Sequence, residues 1–211
     1  MFHSAISASL GAQVAISGLG GYVLGSIPFG LIAARLGGVG DIRAIGSGNI
    51  GATNVLRSGR RDLALITLVG DAGKGALSVL AAAALFGPLM ACLAGGAAFV
   101  GHLFPLWLRF RGGKGVATFF GVLFALVWPV GLAAGATWLV VAALFRFSSL
   151  AALAAAACAP IWLVILERGG SGRLELLLSM AALIVVSHRA NIGRLLRRAE
   201  PRIGAKTAIP G

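Results

Sequence analysis

Four short polar segments contain the residues of this chain that could do chemistry. The longest is the loop 36–62, whose candidate ligand-binding residues are Gly46, Ser47, Gly48, Asn49, Thr53, Asn54 and Arg57. Successive backbone N–H groups flanked by glycine can form an anion-binding nest, and an arginine adds a forked donor that fits phosphate. The segment therefore predicts a phosphate site, and the alternative is a flexible turn whose arginines face lipid headgroups.

A second polar segment, RFRGGKGVAT at 109–118, surrounds one lysine with glycines. Lys114 follows Gly112 and Gly113 and precedes Gly115, just before an apolar stretch. Helix N-termini attract anions, and glycine lets a phosphate approach the backbone. The segment is not a P-loop, because Gly115 stands where G-x-x-x-x-G-K-[ST] needs Ser or Thr, so it argues against an NTPase. It predicts a second anion site, with a basic interfacial turn as the alternative.

The third segment, SHRANIGRLLRRAE at 187–200, follows the last apolar stretch. His188 and Asn191 lie three residues apart, so on a helix both can face one cavity. Histidine can act as a base or bind phosphate, and asparagine both donates and accepts hydrogen bonds. The arginines that follow, in a basic tail over 191–211, are interpreted as membrane-surface residues.

The fourth candidate is a pair of charges inside an apolar stretch. Asp71 and Lys74 are three residues apart and share a helix face. Charges at membrane depth are costly and suggest function. Lys74, and His102 in GHLFP, are candidate phosphate ligands, and Asp71 is a candidate structural residue. The alternative for all three is a role in helix packing.

The composition decides which elements must position these residues. Of 211 residues, 58% are hydrophobic and 11% are charged, against about 25% charged in a soluble domain. An ordinary soluble enzyme is excluded, and an all-α integral membrane protein is predicted. The net charge of +12 comes from loop residues between apolar stretches. It therefore fits the positive-inside rule better than nucleic-acid binding.

Charge counting predicts the topology. Five apolar stretches have roughly the 20 residues that cross a bilayer, namely 14–34, 63–86, 88–108, 147–166 and 174–190. The stretch 115–145 is too long for one crossing, and Trp128-Pro129 at its middle predicts a helical hairpin. Seven helices then place fifteen Lys and Arg on one side and only Arg168 and Arg173 on the other, whereas six helices give ten against seven. Seven transmembrane helices are therefore predicted in a single domain over 1–211, with the N-terminus outside and the C-terminus cytoplasmic.

Taken in order, the motifs resemble the acyl-phosphate:glycerol-3-phosphate acyltransferase family of small bacterial membrane proteins (PlsY). The matching segments are GSIPFG at 25–30, DIRAIGSGNIGATNVLR at 41–57, DAGKG at 71–75, GHLFPLWLRFRGGKGVAT at 101–118 and HRANIGRLLRRAE at 188–200. The family's seven-helix fold, with a cytoplasmic active site, agrees with the charge count. One departure is Arg198, which stands where the family pattern predicts glycine.

The resemblance implies an acyltransferase. It would move a fatty acyl group from acyl phosphate to the 1-hydroxyl of sn-glycerol 3-phosphate, giving lysophosphatidic acid and phosphate in the first step of bacterial phospholipid synthesis. The donor is already activated, so no metal or other cofactor is expected. The expected partners are the two substrates and membrane lipid, without nucleic acid. The protein is expected to be a monomer in the inner membrane, with its site facing the cytoplasm.

The resemblance also implies roles for individual residues. Those implied to act in catalysis are Ser47, Arg57, Lys114, His188 and Asn191. Glu200 matches a structural residue of the family. Two proton acceptors remain open, which are His188 and an oxygen of a substrate phosphate. Ser47 is disfavoured as a covalent nucleophile, because the spacing predicts no adjacent base.

Two other classes of function compete with an enzyme. A small transporter or channel for anionic metabolites would spread polar residues through the membrane and often shows two-half symmetry. Here the polar motifs gather on one predicted side. A phospholipid-binding scaffold would explain the basic tail but not the separate Gly-Lys and His-Asn motifs. The sequence therefore favours the acyltransferase.

Overall fold

The computed structural model describes residues 9–167 and 172–204. Within these ranges the chain forms ten α-helices and two single-turn 3₁₀ helices. The α-helices are α1 (Leu10–Gly25), α2 (Phe29–Leu36), α3 (Ala52–Leu56), α4 (Arg61–Phe86), α5 (Pro88–Leu103), α6 (Val116–Leu126), α7 (Trp128–Phe145), α8 (Ser148–Glu167), α9 (Arg173–Ser187) and α10 (Arg189–Leu196). The 3₁₀ helices are Ile42–Ala44 and Leu106–Leu108. The all-α prediction is confirmed.

The outer surface of the helix bundle is apolar, as lipid contact requires. Leu65 and Leu139 are 61% and 64% exposed. Five described segments are long and apolar enough to cross a membrane, or six if the bent pair α9–α10 counts as one span. The five are Leu10–Leu36, Arg61–Phe86, Pro88–Leu108, Trp128–Phe145 and Ser148–Glu167. A multi-pass membrane protein is therefore confirmed.

Helix α6 is the reason why the predicted count of seven crossings stays a prediction. It has 11 residues, or about 16 Å at 1.5 Å per residue, which is shorter than the bilayer core. The helical break predicted at the middle of 115–145 is nevertheless present. Helix α6 ends at Leu126, α7 begins at Trp128, and Pro129 lies in the first turn of α7. Proline is accommodated there because first-turn N–H groups have no helical partner.

Glycine allows two helix pairs to pack through their backbones. A Cβ on Gly25 of α1 would lie 2.0 Å from the carbonyl oxygen of Ala98 in α5. A Cβ on Gly121 of α6 would lie 1.9 Å from the carbonyl oxygen of Ala72 in α4. Lipid tails are as apolar as leucine, so close van der Waals packing of this kind must hold membrane helices together. It fixes the helices that carry the polar motifs.

The predicted loop 36–62 is an ordered substructure with an apolar core. It contains the 3₁₀ helix Ile42–Ala44 and the short helix α3. Ile42, Ile50 and Val55 are buried against the ends of α2 and α4. This burial holds the loop in place and so positions its polar residues.

Four loop and tail regions meet at one end of the bundle. They are 37–60, 104–115, the α7–α8 corner at 146–148, and 188–204. The Oγ1 of Thr53 lies 3.3 Å from the Oγ of Ser148, and the N–H of Ile203 donates to the carbonyl of Arg146 at 2.7 Å. The basic loops therefore gather as the charge count predicts. Arg168, Lys206 and the rest of the tail beyond Gly204 lie outside the described residues.

Candidate active site

A cavity of about 600 Å³ lies at this end of the bundle and combines all four polar segments. Predicted site residues from the first segment in its wall are Ser47, Asn49, Thr53, Asn54 and Arg57. Those from the other segments are Asp71, His102, Lys114, Gly115, His188, Asn191 and Glu200. Gly46, Gly48, Lys74, Gly112 and Gly113 are not part of this wall. Tertiary folding therefore brings together most of the candidates, although they are up to 153 positions apart in the chain.

Asn54 organises the first segment. Its Nδ2 donates to the carbonyls of Ile42 and Ile45, both at 2.9 Å. Its Oδ1 accepts from the backbone N–H of Ser47 at 2.9 Å. Because the loop uses both ends of this buried amide, Asn54 shapes the loop that presents Ser47.

Ser47 and Arg57 converge on the same amide oxygen. The Oγ of Ser47 lies 3.3 Å from the Oδ1 of Asn54, and the Nη1 of Arg57 lies 3.5 Å from it. Gly46 makes this possible, because a Cβ there would lie 2.5 Å from that oxygen and its φ is +57°. Burial lowers the pKa of Arg57, yet the guanidinium stays charged and has five N–H donors. Most of those donors remain for an anion.

A hydrogen-bonded chain fixes the lysine of the second segment. The Nζ of Lys114 donates to the Oδ1 of Asn191, whose Nδ2 donates to the Oε1 of Glu200 at 2.6 Å. Ser149 donates to the same carboxylate oxygen and Arg194 to the other, both at 2.7 Å. Burial raises the pKa of Glu200, but the hydrogen bonds from these three partners outweigh burial and the net effect lowers it. Glu200 therefore stays ionised and holds Asn191, which in turn orients Lys114.

The protonation state of Lys114 can change when a ligand binds. Burial lowers its pKa to about 8, Glu200 partly opposes this effect, and Arg194 and Arg57 lower the pKa further. A bound phosphate would add negative charge beside the ammonium and so favour its protonated form.

His188 lies at a helix break that the sequence analysis did not predict. Helices α9 and α10 meet there at 60°, so His188 and Asn191 reach the cavity from a bend instead of one continuous helix. The Nδ1 of His188 lies 2.8 Å from the carbonyl oxygen of Ile184. A carbonyl only accepts, so Nδ1 carries the proton and Nε2 keeps its lone pair. His188 can therefore accept a hydrogen bond or a proton at Nε2.

Both carboxylates of the cavity wall are already paired with cations. Glu200 pairs with Arg194, and Asp71 pairs with the Nζ of Lys74 at 2.8 Å. Lys74 also donates to the carbonyl of Ile27 at 2.7 Å, in the break between α1 and α2. These contacts support the structural alternative for Lys74. Four cations lie in the described cavity wall itself and stay available to phosphate, namely Arg57, Arg61, Lys114 and Arg202.

Two of those cations, Arg61 and Arg202, were not among the predicted site residues. Both belong to the cavity wall, and the Cζ of Arg202 lies 5.9 Å from the ring centre of Phe147. In the sequence, Arg61 belongs to the basic loop 36–62 and Arg202 to the basic tail. No local signal separates an arginine that faces a cavity from one that faces headgroups. Only the tertiary fold makes the distinction, and for Arg202 this is the packing of residues 200–204 over the α7–α8 corner.

Arg198, the departure from the family pattern, has φ of +56°, in the region that favours glycine. We expect Arg198→Gly to raise the stability of the protein by about 0.5–1 kcal/mol, because the relief of left-handed strain exceeds the added entropy of the unfolded chain. Thermal unfolding in detergent measures this. The matched control is Arg197→Gly, since Arg197 has φ of −87° and should lose stability. An equal loss in both variants would contradict the explanation.

Comparison with known protein families agrees with this geometry. Residues 15–198 match the family model described as glycerol-3-phosphate acyltransferase. A protein of that name from Caulobacter vibrioides (strain NA1000 / CB15N) is 64% identical over 190 residues, which cover 89% of this chain and 87% of the relative. One from Rhodospirillum rubrum is 59% identical over 199 residues, covering 90% and 91%.

Two solved structures share the fold. Both are crystal structures of PlsY (YgiH), an integral membrane glycerol 3-phosphate acyltransferase. The glycerol 3-phosphate form has a TM-score of 0.86 and 37% identity, and the lysophosphatidic acid form has 0.84 and 36%. Each comparison covers 91% of this chain and 96% of the other. The resemblance inferred from the motifs is thus confirmed, and the chain belongs to the glycerol-3-phosphate acyltransferase family of integral membrane enzymes.

Proposed function

We propose that the cavity transfers a fatty acyl group from acyl phosphate to the 1-hydroxyl of sn-glycerol 3-phosphate. The observation that carries this proposal is that the two segments predicted to bind phosphate and the candidate base His188 line one cavity. Ser47 and Arg57 come from the first segment, Lys114 from the second, and His188 from the third. Two segments for phosphate suit a reaction in which donor and acceptor are both phosphorylated.

The apolar residues of the cavity wall suit an acyl chain. Leu68, Phe120, Trp138 and Ala152 contribute apolar surface from four different helices, and the polar residues described above belong to the same wall. An amphiphilic donor can therefore place its phosphate among the cations while its chain lies among apolar side chains.

The proposed chemistry needs only positioned side chains. The 1-hydroxyl oxygen attacks the acyl carbonyl carbon, an ester C–O bond forms, and the C–O bond to the donor phosphate breaks. His188 Nε2 accepts the hydroxyl proton and returns it to the departing phosphate. Lys114 and Arg57 stabilise the negative charge of the carbonyl oxygen and the leaving group, as preorganised donors do in a water-poor site. Asn191 orients Lys114, and Ser47 positions phosphate.

The location of the site follows from charge. The loops around the cavity contain most of the Lys and Arg residues of the chain, and the positive-inside rule places such loops in the cytoplasm. We therefore propose seven crossings in the inner membrane, an external N-terminus, a cytoplasmic C-terminus and a single-domain monomer. A break at Val127, between α6 and α7, supports the count of seven because it returns the chain to the basic side.

The test is product formation by purified protein in detergent. Palmitoyl phosphate is supplied with and without glycerol 3-phosphate, released phosphate is measured, and the lipid product is identified by mass. We expect lysophosphatidic acid only when both substrates are present and without added metal or coenzyme A. Folded, monodisperse protein that makes no such product, or makes it only from acyl coenzyme A, would refute the proposed donor.

A further inference from the structure

Asp71 and His102 are cavity-wall residues that the proposed chemistry does not use. They are 2% and 4% exposed, and the Nδ1 of His102 lies 3.6 Å from the Oδ1 of Asp71. Lys74 holds the same carboxylate oxygen from one turn away and is itself held by the Ile27 carbonyl. The Asp71 carboxylate is therefore fixed by α4 and by the α1–α2 break, and it faces the imidazole from one side.

The loop that carries Lys114 lies on the other side of that imidazole. The N–H of Gly113 donates to the carbonyl of His102 at 3.1 Å, and the N–H of Gly112 donates to the carbonyl of Leu103 at 3.0 Å. A Cβ on Gly113 would lie 2.2 Å from the Nε2 of His102. The ring is thus in direct contact with the loop backbone one residue before Lys114.

We propose that Asp71 and His102 are positioning residues that act through Lys114. The imidazole fills the space between the Asp71 carboxylate and the Gly113 backbone and so fixes the position of the loop Gly112–Gly115 relative to α4 and α5. That position determines where the Lys114 ammonium contacts phosphate. The inference rests on the proposed function only in taking Lys114 as a ligand of the phosphate of glycerol 3-phosphate, in addition to its role at the transferring groups.

Preorganisation explains why such a support is needed. A glycine-rich loop has little side-chain packing of its own, and a misplacement of about 1 Å can cost roughly 100-fold in rate. Asn191 orients the ammonium from the side of α10. His102 supports the backbone of the same residue from the side of α5, so two independent contacts define its position.

A double-mutant cycle tests the proposal. We expect His102→Leu, which keeps bulk but removes the ring nitrogens, to lower kcat/KM for glycerol 3-phosphate about 10- to 100-fold. Most of this loss should lie in KM. In a Lys114→Ala background the same substitution should lower kcat/KM less than about threefold, because the lysine through which His102 acts is absent. Losses that multiply in the double mutant would overturn the proposal.

A steric rescue gives a second readout that general unfolding cannot imitate. Gly113→Ala alone should lose activity, because its methyl group collides with the imidazole. Combined with His102→Ala, which opens that space, it should cost no more than His102→Ala alone. A full additional loss would contradict the contact. Gly73→Ala is the matched control, since a Cβ at this exposed position of α4 meets nothing within 4 Å.

Binding separates this inference from the proposed function. The affinity for glycerol 3-phosphate itself, measured by calorimetry without a donor, should weaken in His102→Leu but not further when Lys114→Ala is already present. If the affinities of the wild type and the variants follow this pattern but the wild type makes no lysophosphatidic acid, the proposed reaction fails and the positioning role stands. If it makes the product but the losses multiply, the reaction stands and the positioning role fails.

Discussion

Replacing Lys114 by methionine is expected to lower kcat/KM by about 10²- to 10³-fold, the loss typical of removing one preorganised charge-stabilising donor. The Lys114 side chain is partly buried, and Asn191 directs its ammonium. Steady-state rates with both substrates measure the loss. Retention of more than a tenth of the wild-type rate would show that Lys114 does not stabilise the transferring groups.

The same lysine predicts a pH dependence. Because the pKa of Lys114 in the folded protein is about 8, kcat/KM of the wild type should fall as the pH rises through about 8. The limb in kcat should lie at higher pH, because bound phosphate favours the ammonium. Lys114→Arg is the control, since whatever activity it retains should lack this limb. An unchanged limb in that variant would assign the titration to another group.

Stability should change with pH in the opposite direction. The ordinary pKa of a lysine is 10.5, above the folded value of about 8. Between these values the unfolded chain binds more protons, so the free energy of unfolding should rise with pH. Lys114→Met should lack this rise. The comparison separates the loss of a catalytic charge from any loss of folded protein.

The second large effect concerns His188. We expect His188→Gln to lower kcat by about 10²- to 10⁴-fold, the range for loss of a general base, with a smaller change in KM. Glutamine can place a hydrogen-bond acceptor near the former Nε2 but cannot take the proton. Single-turnover product formation measures the chemical step directly.

A second variant separates the roles of the two ring nitrogens of His188. His188→Asn can still donate to the Ile184 carbonyl, the contact made by Nδ1, but has nothing at the position of Nε2. It should be as inactive as His188→Gln while melting close to the wild type. If His188→Gln stays within tenfold of the wild-type rate, the histidine only orients the hydroxyl and a substrate phosphate oxygen takes the proton.

Much of the architecture follows from local properties of the sequence. Hydropathy identifies the membrane helices because lipid contact depends on each side chain's own polarity. The break between α6 and α7 follows from Pro129, because proline is disfavoured in a helix interior. The two candidate anion-binding segments also follow from the sequence, because glycine spacing and the charges of Arg57 and Lys114 are visible without a fold.

The partners of those residues were not predictable. The contact between Lys114 and Asn191 joins residues 77 positions apart, and that between Ser149 and Glu200 joins residues 51 apart. No proline or glycine stands beside His188, so the sequence does not predict the bend there. Such features depend on which helices pack together, and many sequences of the same hydropathy would pack differently.

The sequence by itself determined the protein's class, the family it belongs to and most of the candidate residues that line the cavity. The tertiary structure decided their separate tasks. It placed Lys74 on a backbone carbonyl and Asn54 inside its loop, turned Arg202 toward the cavity, and set His102 beneath Gly113. The physical reason is that charge and hydrogen-bonding capacity belong to a residue. Whether a ligand or the protein uses that capacity depends on which groups the fold brings within about 3 Å.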